Sequence, residues 1–145
     1  MLDTHLILVY IIHMNTPTQE KPVATLQRIR DFIHIVPFHP TEISVSKEDI
    51  ETGIRCMPHD CPIAHAALRV RETLFSGFND WRNIRVQVGG FSIRFYYHDC
   101  YLCGGYCPAI VQRFIDRFDS WCRNVDDYKN TEPFSFKIQL TTNPV

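Results

Sequence analysis

Along this chain the spacing of apolar residues switches between two rhythms, and the switches divide it into elements. Val23, Leu26, Ile29, Ile33 and Val36 recur at three- and four-residue steps, with Gln27, Arg28, Arg30 and Asp31 between them. That is one buried face of a helix, predicted over 23–34 and ended by Pro37 and Pro40. Residues 42–46 (EISVS) instead alternate, with Ile43 and Val45 facing one way, and read as a strand. Ser46 followed by Asp49 is a capping-box start for a short helix, Lys47 to Thr52, closed at Gly53. A longer helix begins at Pro62, where a first-turn proline belongs, and carries the stripe Ile63, Ala66, Ala67, Val70 and Leu74 to Ser76-Gly77. His65, Arg69 and Glu72 fall on its other side.

Alternation returns in Ile84, Val86 and Val88, and again in Phe91, Ile93, Phe95 and Tyr97. Gly89-Gly90 is the expected two-residue turn of a hairpin between them. Pro108 opens a helix with Ile110, Phe114, Phe118 and Trp121 on one face, and Phe134, Phe136, Ile138 and Leu140 alternate in a last strand. The order over residues 41–140 is strand, helix, strand, strand, helix, strand. It predicts an α+β domain of ferredoxin-like βαββαβ topology, a four-stranded sheet with both helices on one face. The first and third strands would be parallel neighbours at its centre. Residues 1–40 form an amino-terminal extension with a predicted strand at 6–12 and the helix at 23–34, and residues 141–145 form a tail.

Composition changes this picture little. Among 145 residues, 45% are apolar and 21% charged, as in a folded globular chain. Leu6 to Ile12 is seven apolar residues, against the about 20 needed to cross a bilayer, so no membrane span is expected. Nor does it resemble a secretory leader, because Met1 to Thr4 carries no Lys or Arg and no small-x-small cleavage site follows. Met14 is an alternative start, with residues 1–13 then an addition. The expectation is a cytoplasmic protein that does not partner a membrane.

Six cysteines are too few for a small disulfide scaffold, but five fall in two short segments, CMPHDC (56–61) and CYLCGGYC (100–107). On the predicted topology both segments leave the carboxyl ends of the central strands and converge. Cys61-Pro and Cys107-Pro each read as the N-cap of a proline-led helix, where backbone N–H groups favour the thiolate. Four of Cys56, Cys61, Cys100, Cys103 and Cys107, with His59 or His98 as substitutes, are candidate ligands of a structural zinc. C-x₂-C-x₃-C suits such a site, whereas C-x₄-C is looser than the usual pair. The competing readings are reduced free thiols packed as small hydrophobes, and a disulfide or redox pair. Cys122, late in an apolar stripe, reads as core. A cysteine nucleophile at Cys61 or Cys107 with His59 or His98 as base can be drawn, but nothing fixes its geometry, and P-loop, GxGxxG, HExxH, GxSxG and EF-hand patterns are all missing. The sequence points away from an enzyme.

The polar sides of the strands would display Arg85, Arg94, Tyr96 and Lys137, a candidate nucleic-acid surface of the kind that stacks bases on aromatics. The charge argues against a dedicated one, since 15 basic residues meet 16 acidic ones and no segment is a basic patch. The leading expectation is therefore a small non-catalytic accessory protein that binds another protein through its cysteine-bearing end. Nucleic-acid binding and cysteine chemistry are the alternatives.

The stretch ISVSKEDIETG (43–53), CPIAHA (61–66), FIDRFD (114–119) and PFSFKI (133–138) resembles a group of short uncharacterised bacteriophage and bacterial proteins. They share an I-x-V-[ST] strand, an I-x-x-G turn, a C-P-[IV]-A helix start and a P-F-x-F strand. The resemblance spans residues 43–138 and implies a phage-type accessory protein without assigning any catalytic residue. This chain departs from the group in its forty-residue amino extension and in the cysteine content of residues 100–107.

Overall fold

The structure, a computed structural model, describes residues 40–120 and 131–145. The predicted strand at 6–12 and helix at 23–34 lie outside the described residues, as do Trp121 and Cys122. Within them the protein is an α+β fold with two antiparallel sheets and three helices. The elements in order are β1 (Thr41–Val45), α1 (Lys47–Thr52), α2 (Pro62–Leu74), β2 (Ile84–Val88), β3 (Ser92–Tyr97), β4 (Cys100–Tyr106), α3 (Ala109–Ser120) and β5 (Phe134–Ile138). A single 3₁₀ turn, Trp81–Asn83, leads into β2.

The alternating pattern places the side chains as expected. Ile43 and Val45, Ile84, Val86 and Val88, Ile93 and Phe95, and Phe136 and Ile138 are all buried in one core. Each contributes on the order of 1.5–3 kcal/mol by leaving water. The helical stripe of α2 also faces that core through Ile63, Ala66, Ala67 and Leu74. From α3, Val111, Phe114 and Phe118 are buried. Phe114 stacks on Phe118 at 5.5 Å and meets Phe134 of β5 at 5.1 Å.

The strand pairing departs from the ferredoxin-like expectation. β1 pairs with β5, antiparallel, with Ile43 opposite Phe136, as the first and last strands of that topology do, but β1 does not lie parallel to β3 at the centre of one sheet. The second sheet has the order β2-β3-β4, all antiparallel. Its third strand is CYLCGGY, the stretch expected to be a loop. Gly104 and Gly105 do not break this strand; they let the chain after β5 come close. A side chain at Gly105 would overlap the Gln139 carbonyl at 2.4 Å, and Gly104 bridges Thr141 through two backbone hydrogen bonds of 2.8 and 3.0 Å. That bridge joins the two sheets. The Tyr101 hydroxyl donates to the Asn143 carbonyl at 2.8 Å and holds the carboxyl-terminal tail on β4.

The hairpin turn also moves by one residue. Gly89 N–H donates to the Ser92 carbonyl, so Gly90 and Phe91 form the turn, and Phe91 is 71% exposed instead of pointing inward.

Two arginines tie α2 to both sheets. Ser46 caps α1, with its hydroxyl accepting from Asp49 N–H and the Asp49 carboxylate accepting from Ser46 N–H. Arg69 closes on that buried carboxylate with both terminal nitrogens and donates to the Ser44 carbonyl of β1 at 2.7 Å. Burial pushes the Asp49 carboxyl up, but the bonds from Arg69 and Ser46 outweigh it and hold the group below its ordinary 3.8. Arg71 donates to the carbonyls of Arg82 and Ile84 at the start of β2 and lies over the Trp81 ring at 5.5 Å.

Candidate functional site

Residues 53–61, between α1 and α2, fold into a loop that fastens itself to β2. Ile54 N–H donates to the Asp60 carbonyl and Asp60 N–H to the Met57 carbonyl, closing the loop on itself. Val88 N–H of β2 donates to the Pro58 carbonyl at 2.8 Å, and His59 Nδ1 meets the Val86 carbonyl at 2.7 Å. Because a carbonyl oxygen only accepts, Nδ1 carries the proton and Nε2 is left as the free ring nitrogen. With Arg71 on the Ile84 carbonyl, the outer edge of β2 is occupied at three successive outward positions.

One side of this loop faces α3 across a cleft of about 390 Å³. Its apolar walls are Met57, Pro58, Ile63, Val88, Phe114, Ile115 and Phe118, with Cys56 and Cys61 among them. Among the described residues its charged lining is acidic, Asp116 and Asp119. Cys56 takes a left-handed backbone conformation (φ 56°) and its N–H donates to Asp119 Oδ1 at 2.9 Å, which pins the loop to the end of α3. Met57 is 47% exposed at the cleft.

Cys61 is the N-cap of α2, as expected, but its side chain makes no capping hydrogen bond. Burial pushes its thiol up, with the Ile63 and Ala64 N–H groups opposing the shift only in part and the Asp119 charge adding to it. Cys107 lies two residues before the first helical residue of α3, so Pro108, not Cys107, is the cap; its carbonyl receives Gln112 N–H at 3.1 Å. Burial, with Cys61 nearby, pushes the Cys107 thiol up to about 12. Cys103, on the inner face of β4 opposite Phe95, is likewise raised by burial to about 12. The thiolate expected at two helix starts therefore gives way to protonated, core-packed thiols.

Of the five cysteines named from sequence, the structure brings Cys56 and Cys61 to one cleft and Cys107 near Cys61. It does not gather the rest. Cys100 pairs with Tyr97 at the start of β4, and an extended strand rises about 3.3 Å per residue, so C-x₂-C there is strung out by about 10 Å and forms no knuckle. Among the described residues no three of His, Cys, Asp or Glu stand together in a way that could hold a metal. His59 and His98, the substitute ligands, meet each other elsewhere, in a shallow recess of about 240 Å³ with Arg85, Gln87, Tyr96 and Asp99.

The residues named for nucleic-acid contact also separate. Arg85 and Tyr96 are cross-strand partners in that recess. Arg94 is half-buried with its Nε out of contact with water and without a hydrogen-bond partner. Lys137 stands on the other sheet, opposite Glu42. Sequence reasoning missed the cleft acids Asp116 and Asp119, although their spacing of three on a helix already places them on one face. No described helix is long and apolar enough to cross a membrane. No family model matches the chain, and neither the curated proteins nor the solved structures contain a match to it.

Proposed function

We propose that this is a small non-catalytic binding protein that receives a short apolar peptide segment carrying a basic side chain, in the cleft between loop 53–61 and α3. The observation that supports it most is the lining among the described residues: apolar side chains throughout, with Asp116 and Asp119 as the charged groups. Apolar walls supply affinity through buried area, and the paired acids select a Lys or Arg on the incoming chain. Met57 and Phe91 add exposed apolar surface of the kind that marks contact sites. The protein-binding end expected from the cysteines thus corresponds to a cleft in which Cys56 and Cys61 are wall and floor.

Cysteine catalysis draws less support. Cys61 is raised by burial, and among the described residues no histidine lines the cleft to serve as its base. A nucleic-acid surface draws less support too, because Arg85, Arg94, Tyr96 and Lys137 do not form one basic patch.

Peptides selected from a random displayed library against the full chain test the reading. The expected winners are apolar with at least one Lys or Arg, and Asp116→Lys, a change at an exposed position, weakens them by about tenfold or more. Winners without basic residues, or winners that bind folded Asp116→Lys unchanged, would sink it.

A further inference from the structure

The other side of loop 53–61 forms the recess of His59, Arg85, Gln87, Tyr96, His98 and Asp99, and its walls are polar where the cleft's are apolar. Four of these groups are held in place by contacts that leave part of each unused. His59 is fixed through Nδ1 on the Val86 carbonyl, and its Nε2 has no partner among the described residues. Arg85 donates from one terminal nitrogen, Nη2, to the His98 carbonyl at 2.8 Å, leaving Nε and Nη1 uncommitted. The same nitrogen reaches Asp99 Oδ1 only at 3.4 Å, and the Asp99 side chain is fully exposed, so this pair is weak and readily displaced. Tyr96 is braced by an edge-on contact with Tyr101 at 5.9 Å. His98 occupies a left-handed turn position (φ 50°) that its own carbonyl's bond to Arg85 secures.

The donors outnumber the acceptors once the imidazoles are protonated, because neutral His59, with its proton on Nδ1, offers Nε2 only as an acceptor. A guanidinium fork, a phenol and a primary amide complete the set, and the carboxylate opposing them is turned to solvent. That set recognises an oxyanion with several acceptor oxygens. The volume lies below the about 300–1,000 Å³ of pockets that enclose drug-sized ligands, so it fits a head group and not a whole cofactor. We infer that the recess between loop 53–61 and the β3–β4 turn is a binding site for a phosphate group, free or as the terminal phosphomonoester of a small molecule, held by Arg85, His59 and His98. The site is independent of the peptide cleft, and either can fail without the other.

Titration of the full chain with inorganic phosphate, followed through the imidazole resonances by NMR, tests the inference. Saturable shifts of His59 and His98 are expected, with His65, which is bonded to Asp60, moving little. Gln87→Glu, which places a negative charge in the recess, and Arg85→Gln, which keeps a donor toward the His98 carbonyl, should each weaken binding by about tenfold or more. Lys137→Gln should leave it unchanged. A nucleoside 5′-monophosphate that binds more tightly than phosphate identifies a carried phosphate whose base stacks beside Tyr96; equal affinity identifies the free ion. Shifts that chloride reproduces at equal ionic strength, or binding indifferent to both recess variants while they remain folded, would overturn it.

Discussion

The two ends of α2 are held in opposite ways. Its carboxyl-terminal half is bolted down by arginine side chains: Arg69 on the Asp49 carboxylate and the Ser44 carbonyl, Arg71 on the Ile84 and Arg82 carbonyls. Its amino end starts at Cys61, which caps nothing, and opens into an apolar cleft. Where polar groups are matched within the chain, little is left over to recognise anything else. Where apolar walls meet solvent beside two acids, recognition capacity remains. Position within one helix thus separates a structural clamp from an open apolar cleft.

The widest expected contrast is in thiol reactivity. Cys103 and Cys107, raised to about 12, hold on the order of 10⁻⁵ of their population as thiolate at neutral pH, and only the thiolate attacks. Cys56 is exposed. Iodoacetamide labelling followed by site-resolved mass spectrometry should therefore mark Cys56 faster than either by orders of magnitude in the folded protein. Comparable rates at Cys56 and Cys107 would mean that the cleft end opens freely.

Stability should divide along the same line. Phe118, fully buried beneath the cleft, should cost about 3–5 kcal/mol when replaced by Ala, as emptied aromatic sites do. Tyr96→Ala, in the polar recess, should cost no more than about 1.5 kcal/mol. Urea unfolding of the two variants measures both, and similar losses would remove the distinction between core-backed cleft and surface recess.

A smaller effect than that of Phe118→Ala belongs to the clamp. The folded Asp49 carboxyl titrates below 3.8, so its contribution is fully present above that value and is lost as pH falls through the lower folded one. Arg69 is half-exposed and screening trims the pair, so Asp49→Asn should cost about 1–2 kcal/mol at neutral pH. That deficit should shrink as the acid limb is approached. Urea midpoints of wild type and variant that stay parallel from neutral pH to below 3.8 would show that the clamp does not titrate.

Local pattern was readable and partnership was not. The capping box at Ser46 and Asp49, the stripe of α2 and the alternation of β2, β3 and β5 follow from side-chain periodicity, which a sequence displays directly. That β1 stays apart from β3, with β4 beside β3 instead, depends on which strand edges meet across distant stretches of the chain, and alternation alone does not choose a neighbour. β4 was hidden because Gly104-Gly105 has the composition of a turn, while its role is to admit the chain after β5 at close range. His59 drew notice only as a stand-in metal ligand or as a base for a cysteine, since nothing local shows that its ring reaches Val86, and Arg69 gives no sign of Asp49 twenty residues away.

The sealed edge of β2 limits how copies of this protein can meet. Pro58, His59 and Arg71 occupy the backbone positions that an added strand would need. Edge-to-edge growth into a fibre needs a bare strand edge as its template, and this flank offers none.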